Sequence, residues 1–409
     1  MTETRSRQII VAGAGIAGLT AAIAFARHGF AVRVYEKATK IEEIGAGIQL
    51  SPNASRLLDD LGLLDSLMPA ASQPEAVVLR SARSKNLKEL ARVPLRPTAE
   101  ERWGAPYLVM HRADLQSALL SYARHQADIT ITTGAAVRDM ALHPFGVTAS
   151  IDVDGRVIDA KGLLLVGADG VWSSIRGLAG DAGKSKFTGK IAWRATIRSE
   201  GAAAALLGNP ADVVTAFLAK DAHLIAYPVR AGAAINLVAV TEGDGEVLRW
   251  DGRAETALLK RALRSAAPPI RQLIDEAGTW TTWPIHTVDP AMPWTISGGV
   301  ALIGDAAHAM TPYAAQGAAM AIEDAVLLAD RVATAPGDIA TALTSWERER
   351  RARVARVMKR GALNERAWHA RGPVVLVRNM VLRSRSSERL AADLDWLYGW
   401  RGDIRAEPS

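Results

Sequence analysis

The stretch from Gln8 to Glu36 constrains the fold more than any other part of the chain. Gln8, Ile9, Ile10, Val11 and Ala12 form a short β-type run that ends at Gly13-Ala14-Gly15-Ile16-Ala17-Gly18. Residues 19–28 have helical composition and stop at Gly29, and a second β-type run from Ala31 to Tyr35 closes on Glu36. A G-x-G-x-x-G pattern means little alone, but between a strand and a helix it is the fingerprint of a dinucleotide site. Gly13 permits the tight turn, Gly15 lets a pyrophosphate approach the backbone, and Gly18 lets helix and strand pack closely. Glu36 stands 23 positions after Gly13, where a carboxylate accepts hydrogen bonds from an adenosine ribose. Ala17 and Lys37 belong to the same expected contact set. The motif therefore predicts a parallel α/β nucleotide-binding unit at the start of the chain.

The chain has 409 residues, more than one core usually organises, so two lobes are expected. It contains no cysteine. That excludes disulfides, thiolate metal ligands and a cysteine nucleophile, so redox chemistry must come from a bound cofactor, and no metal site is expected. The net charge of +6 comes from scattered residues apart from the run RERRARVARVMKR at 348–360. We read that run as the solvated face of a surface helix, with Val354 and Val357 on its inner side. No nucleic-acid module accompanies it. Glycines interrupt the one apolar stretch near the N-terminus, and nothing else is long enough to span a bilayer. A cytoplasmic protein without stable membrane insertion, monomeric or homodimeric, is the expectation.

Further along, Gly45-Ala46-Gly47-Ile48-Gln49-Leu50 forms a glycine-rich stretch beside the nucleotide motif, leading into a helix from about Ala54 to Leu61. Residues 74–97 alternate and suggest a hairpin leaving the first unit. A helix following His111-Arg112-Ala113-Asp114-Leu115 returns to it. Leu163 to Val166 is a buried strand ending in Gly167-Ala168-Asp169-Gly170, and Val300 to Ile303 ends in the same way at Gly304-Asp305. Ligands of open α/β sheets bind at such strand ends. Between Phe187 and Trp283 short β-type segments follow one another, with a helical stretch from about Glu255 to Ala277. The fold expected is a Rossmann-like α/β nucleotide unit (1–73, 98–182 and 284–370), an inserted, mostly antiparallel β-sheet unit (74–97 and 183–283) and a C-terminal helical segment (371–409). The pocket between the lobes is the default substrate site.

GAGIAG with Glu36, then GADGVWSSIR, then LIGDAAHAMTPYAAQG, in this order, resemble the single-component FAD-dependent aromatic hydroxylases. The Trp396-Leu397-Tyr398-Gly399-Trp400 ending is similar to that of their salicylate-hydroxylase-like members. The resemblance implies bound FAD, a transient visit by NADH or NADPH, molecular oxygen, and electrophilic oxygen transfer from a flavin C4a-hydroperoxide to a small aromatic substrate. It implies that Arg112 contacts the FAD phosphate region, Asp169 both nucleotides, and Asp305 the ribityl or pyrophosphate portion. Gly47 is expected near the flavin, Pro312 beside its ring, and the N–H groups of Gly317 and Ala318 at its N1/O2 edge, where a helix start stabilises negative charge. Only one G-x-G-x-x-G is present, which agrees with a transient nicotinamide visit.

Removing a phenol's proton requires a base near neutral pKa. His223 and Tyr227 lie four apart on a predicted strand and so share a face. The pair, with Gln49 and Gln316, resembles the substrate set of the subgroup acting on 3-hydroxybenzoate and 6-hydroxynicotinate, which implies substrate contacts for all four and catalytic roles for His223, Tyr227, Gln316 and Pro312. Arg194, after Trp193, either binds a carboxylate or packs one lobe on the other; His308 is expected to be structural. Hydroxylation of a small phenolic or hydroxypyridine carboxylate is the leading expectation. Decarboxylating salicylate hydroxylation, oxidation of a larger apolar substrate, and a non-catalytic dinucleotide sensor are the alternatives.

Overall fold

The computed structural model describes residues 7–402 except 42–46, 85, 145, 179, 181–183, 201, 206, 208–211, 244–255, 297 and 336. Gly45, Ala46 and Glu255 lie outside the described residues. A six-stranded sheet forms the nucleotide side, in the order Thr295–Ile296, Val300–Leu302, Leu164–Gly167, Gln8–Ala12, Ala31–Glu36, Ile129–Thr133. Its strands pair in parallel except for the antiparallel edge strand Thr295–Ile296. This is a doubly wound arrangement whose strand ends gather the glycine turns on one edge.

Two helices fix that edge. Ile16–Arg27 is buried from Ile16 to Phe25 apart from Ala17, and it packs on Gly317–Thr334, which is buried almost throughout. Helices covered on nearly all sides need small apolar residues rather than a polar face, which is why alanine dominates both. The first glycine turn allows no side chains. A Cβ on Gly18 would lie 1.9 Å from the Gly13 carbonyl oxygen, and Gly13 has φ +104° with Ala168 O only 2.6 Å from its Cβ position. At Gly15 an added Cβ would meet no atom within 4 Å. The turn is closed on its inner side and open on its outer side, as a bound pyrophosphate requires.

The second sheet has seven strands, ordered Thr281–Thr287, Lys186–Arg198, Ala234–Glu242, Ala222–Val229, Val213–Leu218, Ala76–Ser81, Glu89–Pro94. Only Val213–Leu218 with Ala76–Ser81 pairs in parallel. Alternation gives the sheet two faces. One buries Trp193, Phe217, Leu224 and Leu237 against Leu259, Ile270 and Leu273 of the helices Ala257–Ala262 and Pro268–Glu276. The helical stretch expected from about 255 to 277 consists of two short helices, the second starting at Pro268, which cannot continue a helix from the preceding turn. Trp193 belongs to this packed face, and its Nε1 donates to Thr241 Oγ1 at 2.9 Å. The opposite face carries Arg194, Val238, Ile225 and Tyr227 towards the nucleotide side.

Two sheets go beyond the sequence reading. Ala135–His143, Gly146–Val153 and Arg156–Gly162 form an antiparallel sheet, and the glycine-rich stretch is partly strand, with Gly47–Leu50 pairing antiparallel to Leu108–His111.

The arginine run needs a larger correction. It lies on the long helix Ile339–Trp368, and its Val354 and Val357 are buried as expected, but Arg350 is also fully buried and Arg353 nearly so. Arg350 donates to Glu323 Oε2 at 2.7 Å and Asp324 Oδ1 at 2.8 Å; Arg353 donates to Glu323 Oε1 at 2.8 Å and Oε2 at 3.1 Å. Arg353 also donates to the carbonyls of Trp396 and Leu397, and Arg56 to those of Trp103 and Trp400. The Trp-rich ending is therefore tied down by buried arginines. Burial alone would raise the Asp324 carboxyl, but His308 and Arg350 outweigh it and take it down to about 2. A depressed carboxyl contributes stability above its unfolded pKa and loses it as pH falls through the folded value. The wild-type unfolding midpoint should therefore fall steeply from pH 3.8 to about 2, and Asp324→Asn, less stable at neutral pH, should show a shallower fall in thermal melts over that window.

Candidate active site

One cavity of about 340 Å³ opens between the two sheets. The nucleotide side contributes Gly15, Ala17, Gly47, Gln49, Arg112, Asp305, Pro312, Gln316, Gly317 and Ala318; the second sheet contributes Arg194, Ile225, Tyr227 and Val238. Strand register explains the second wall. Arg194 pairs with Val238 and Val238 with Ile225, so these three side chains form a row across adjacent strands, with Tyr227 next along the same face. Arg194 lies over the Trp283 ring at 5.1 Å, which supports its guanidinium from one side.

A polar network holds the inner end. Tyr107 donates to Gln49 Oε1 at 2.7 Å, and the Gly47 N–H donates to Asn236 Oδ1 at 2.8 Å. A Cβ on Gly47 would lie 2.6 Å from the Tyr227 hydroxyl, so that strand passes directly over the phenol ring. Burial, only partly offset by Arg194, keeps the Tyr227 hydroxyl protonated far above neutral pH. It is a hydrogen-bonding group here, and not a proton acceptor.

Gln316 lies at the cavity, but its amide is already engaged. It donates to Ser51 Oγ at 2.9 Å and accepts from Asn53 Nδ2 at 3.2 Å, and Asn53 donates in turn to Glu323 at 2.7 Å. The buried arginine cluster thus reaches the start of the helix Gly317–Thr334 through an unbroken polar chain. His308 is part of the same support. Its Nε2 lies 2.6 Å from Asp324 Oδ2, which also accepts from the Gly304 N–H; this fixes the turn that presents Asp305.

Several expected site residues stand elsewhere. Asp169 stands between the cavity-lining Ala168 and Gly170; its Oδ2 accepts from the N–H groups of Ser174 and Ile175, capping the helix Ser174–Leu178, and its buried Oδ1 has no hydrogen-bond partner among the described residues. Asp-Gly at a strand end cannot show whether the carboxylate serves a ligand or the next helix. Lys37 is exposed beyond the strand end. Glu36 does turn towards the glycine motif, with Oε2 accepting from Ala14 N–H at 2.8 Å and Oε1 from Ala38 N–H at 2.9 Å. His223 shares the face of Tyr227, as alternation predicts, yet lies outside the cavity wall, about 7 Å along the strand from Ile225. It is buried against Tyr313, Trp368 and His369. Burial first, then His369 and Lys190, hold it well below the ordinary histidine range, so the expected near-neutral base is a more weakly basic imidazole. The face of the sheet extends beyond the cavity, and periodicity cannot show where the covering begins. Among the described residues no group of three or more His, Asp or Glu is arranged to hold a metal, and no helix is long and apolar enough to cross a membrane.

The arrangement fits FAD. The open Gly15 turn lies at the start of one buried helix, Arg112 and Asp305 lie along the groove, and the N-terminus of the 18-residue helix Gly317–Thr334 faces the far end, where free N–H groups favour negative charge.

Comparison with known proteins agrees with this geometry. Residues 6–361 match the family described as FAD binding domain. The chain is 36% identical over 396 residues to a 3-hydroxybenzoate 6-hydroxylase of Polaromonas naphthalenivorans (strain CJ2), covering 96% of each. Its fold is similar to Klebsiella pneumoniae HpxO complexed with FAD and uric acid, with a TM-score of 0.82, 28% identity and 96% of each chain covered. It is also similar to a salicylate hydroxylase substrate complex, with a TM-score of 0.79, 25% identity, and 96% of this chain and 95% of that one covered.

Proposed function

The chain belongs to the FAD binding domain family of flavin-dependent monooxygenases, and from that premise we propose that it hydroxylates a small phenolic carboxylate, with 3-hydroxybenzoate as the substrate it fits best. The observation that carries this reading is the composition of the cavity. Two cations line it, Arg112 on the nucleotide side and Arg194 on the second sheet; Arg194 and the neutral phenol Tyr227 stand beside Ile225 and Val238, opposite the loop with Met310 and Pro312 and the helix start at Gly317. An aromatic ring bearing a carboxylate at one end and a hydroxyl at the other matches that distribution of charge, apolar wall and hydrogen-bonding groups.

Bound FAD supplies the redox chemistry, taking electrons from NADH or NADPH and, with oxygen, providing an electrophilic oxygen atom for the ring. The protein's own residues do the remaining work in this reading. Glu36, the Gly13–Gly18 turn, Arg112 and Asp305 hold the nucleotide, and the N–H groups of Gly317 and Ala318 take up negative charge at its ring end. Arg194 binds the substrate carboxylate. Tyr227 and Gln49, fixed by Tyr107, orient the ring. Gln316 holds its loop in register through Ser51 and Asn53, and Pro312 closes the wall. His223 lies beyond the wall, two residues along the strand from the cavity-lining Ile225, so in this reading the phenolic proton reaches it through intervening water rather than by direct contact.

The test is product identity. FAD-loaded protein with NADH or NADPH should convert 3-hydroxybenzoate to gentisate, identified by mass and chromatography. Catechol from salicylate, with no gentisate from 3-hydroxybenzoate, would overturn the assignment. Stimulated cofactor oxidation alone does not count, because reducing equivalents can be lost to hydrogen peroxide.

A further inference from the structure

Behind the cavity wall a closed aromatic box leads outward. His223 is 1% exposed, with its ring 5.3 Å from that of Tyr313 and 5.0 Å from that of Trp368. Its Nδ1 lies 3.0 Å from Nε2 of His369. At that distance one imidazole donates an N–H and the other accepts it. His369, which follows the last turn of the helix Ile339–Trp368, lines a separate recess of about 470 Å³. There Lys190 bridges Glu242 at 3.4 Å and Glu365 at 3.7 Å, while Arg371 bridges Asp221 at 3.0 Å and Glu242 at 3.8 Å. Lys220 and Arg366 complete the rim. The histidine pair thus spans from the sheet face that carries Ile225 and Tyr227 to a charged, solvent-open recess.

The reaction needs such a route. A phenol holds its proton to about pH 10, whereas His223 is held well below the ordinary histidine range and burial with Lys190 nearby takes His369 to about 4. Neither ring can store the proton at neutral pH, but each can pass it on.

We propose that His369 is the relay through which the substrate's proton leaves, an inference that rests on the phenol-hydroxylase reading above with His223 as base. In the resting tautomer the Nδ1–H of His223 donates to Nε2 of His369. As the substrate's proton arrives at His223 Nε2, the Nδ1 proton passes to His369 Nε2, and His369 releases its own Nδ1 proton to water in the recess. One proton enters, one leaves, and both rings end neutral.

The experiment is His369→Ala in the full-length, FAD-loaded enzyme, assayed for hydroxylated 3-hydroxybenzoate. We expect kcat at neutral pH to fall on the order of a hundredfold with KM little changed, the deficit to shrink as pH rises, and free imidazole to restore much of the rate. His369→Phe, which fills the space, should lose as much and gain nothing from imidazole. Unchanged kcat in His369→Ala, or a loss that neither imidazole nor pH relieves, would overturn the relay while leaving the hydroxylase reading intact. A wild-type enzyme that forms no product from any phenolic carboxylate would overturn both.

Discussion

Arg350→Met is expected to lower the stability of the fold by about 3–5 kcal/mol, the usual cost of removing one partner from a buried ion cluster. The guanidinium is fully buried and contacts both Glu323 and Asp324. Without it Glu323 keeps Arg353 and Asn53, but Asp324 keeps, among the described residues, only His308 and the Gly304 N–H as its carboxylate partners. Methionine restores volume without charge, so the loss reports the stranded carboxylate more than a cavity. Denaturant unfolding followed by fluorescence should show the lower midpoint at unchanged slope. FAD affinity should fall with it, because Asn53 links this cluster to Gln316 at the ring end. A loss below about 1 kcal/mol would mean that the cluster contributes no more than a surface pair.

The largest effect on substrate binding is expected from Arg194→Met. A charge-assisted pair with a carboxylate is worth about 1.5–3 kcal/mol, so the Kd for 3-hydroxybenzoate should rise on the order of a hundredfold. Binding of an uncharged phenol of similar size should change little. That contrast separates recognition of the carboxylate from packing, since Arg194 also lies over Trp283. Ligand-induced change in the flavin spectrum gives both constants directly. Equal losses for the acid and the neutral phenol would assign Arg194 to packing.

Much of the nucleotide side was legible because its signals are local. Gly13 and Gly18 stand where side chains would collide with backbone, and a backbone demand of that kind leaves a fixed spacing in the sequence. Strand alternation likewise put His223 on the face of Tyr227. What remained hidden depends on contacts between distant residues. The sequence around Asp169 does not show that its carboxylate caps Ser174–Leu178. Nothing within 348–360 marks Arg350 and Arg353 as partners of Glu323 and Asp324, because charges at helical spacing look alike whether they face water or a buried acid. The three-stranded sheet over 135–162 was missed for a related reason. Its strands expose charged residues such as Arg138 and Asp159, which dilute the apolar signal of a strand.

The central claim is that the cavity between the two sheets holds flavin and phenolic acid together and that oxygen reaches the ring there. It is tested most directly by turnover of 3-hydroxybenzoate by the FAD-loaded enzyme under isotopically labelled oxygen gas, with the product weighed by mass spectrometry. The account predicts gentisate carrying one labelled atom. Product whose new oxygen comes from water, or cofactor oxidation that yields only hydrogen peroxide, would contradict it.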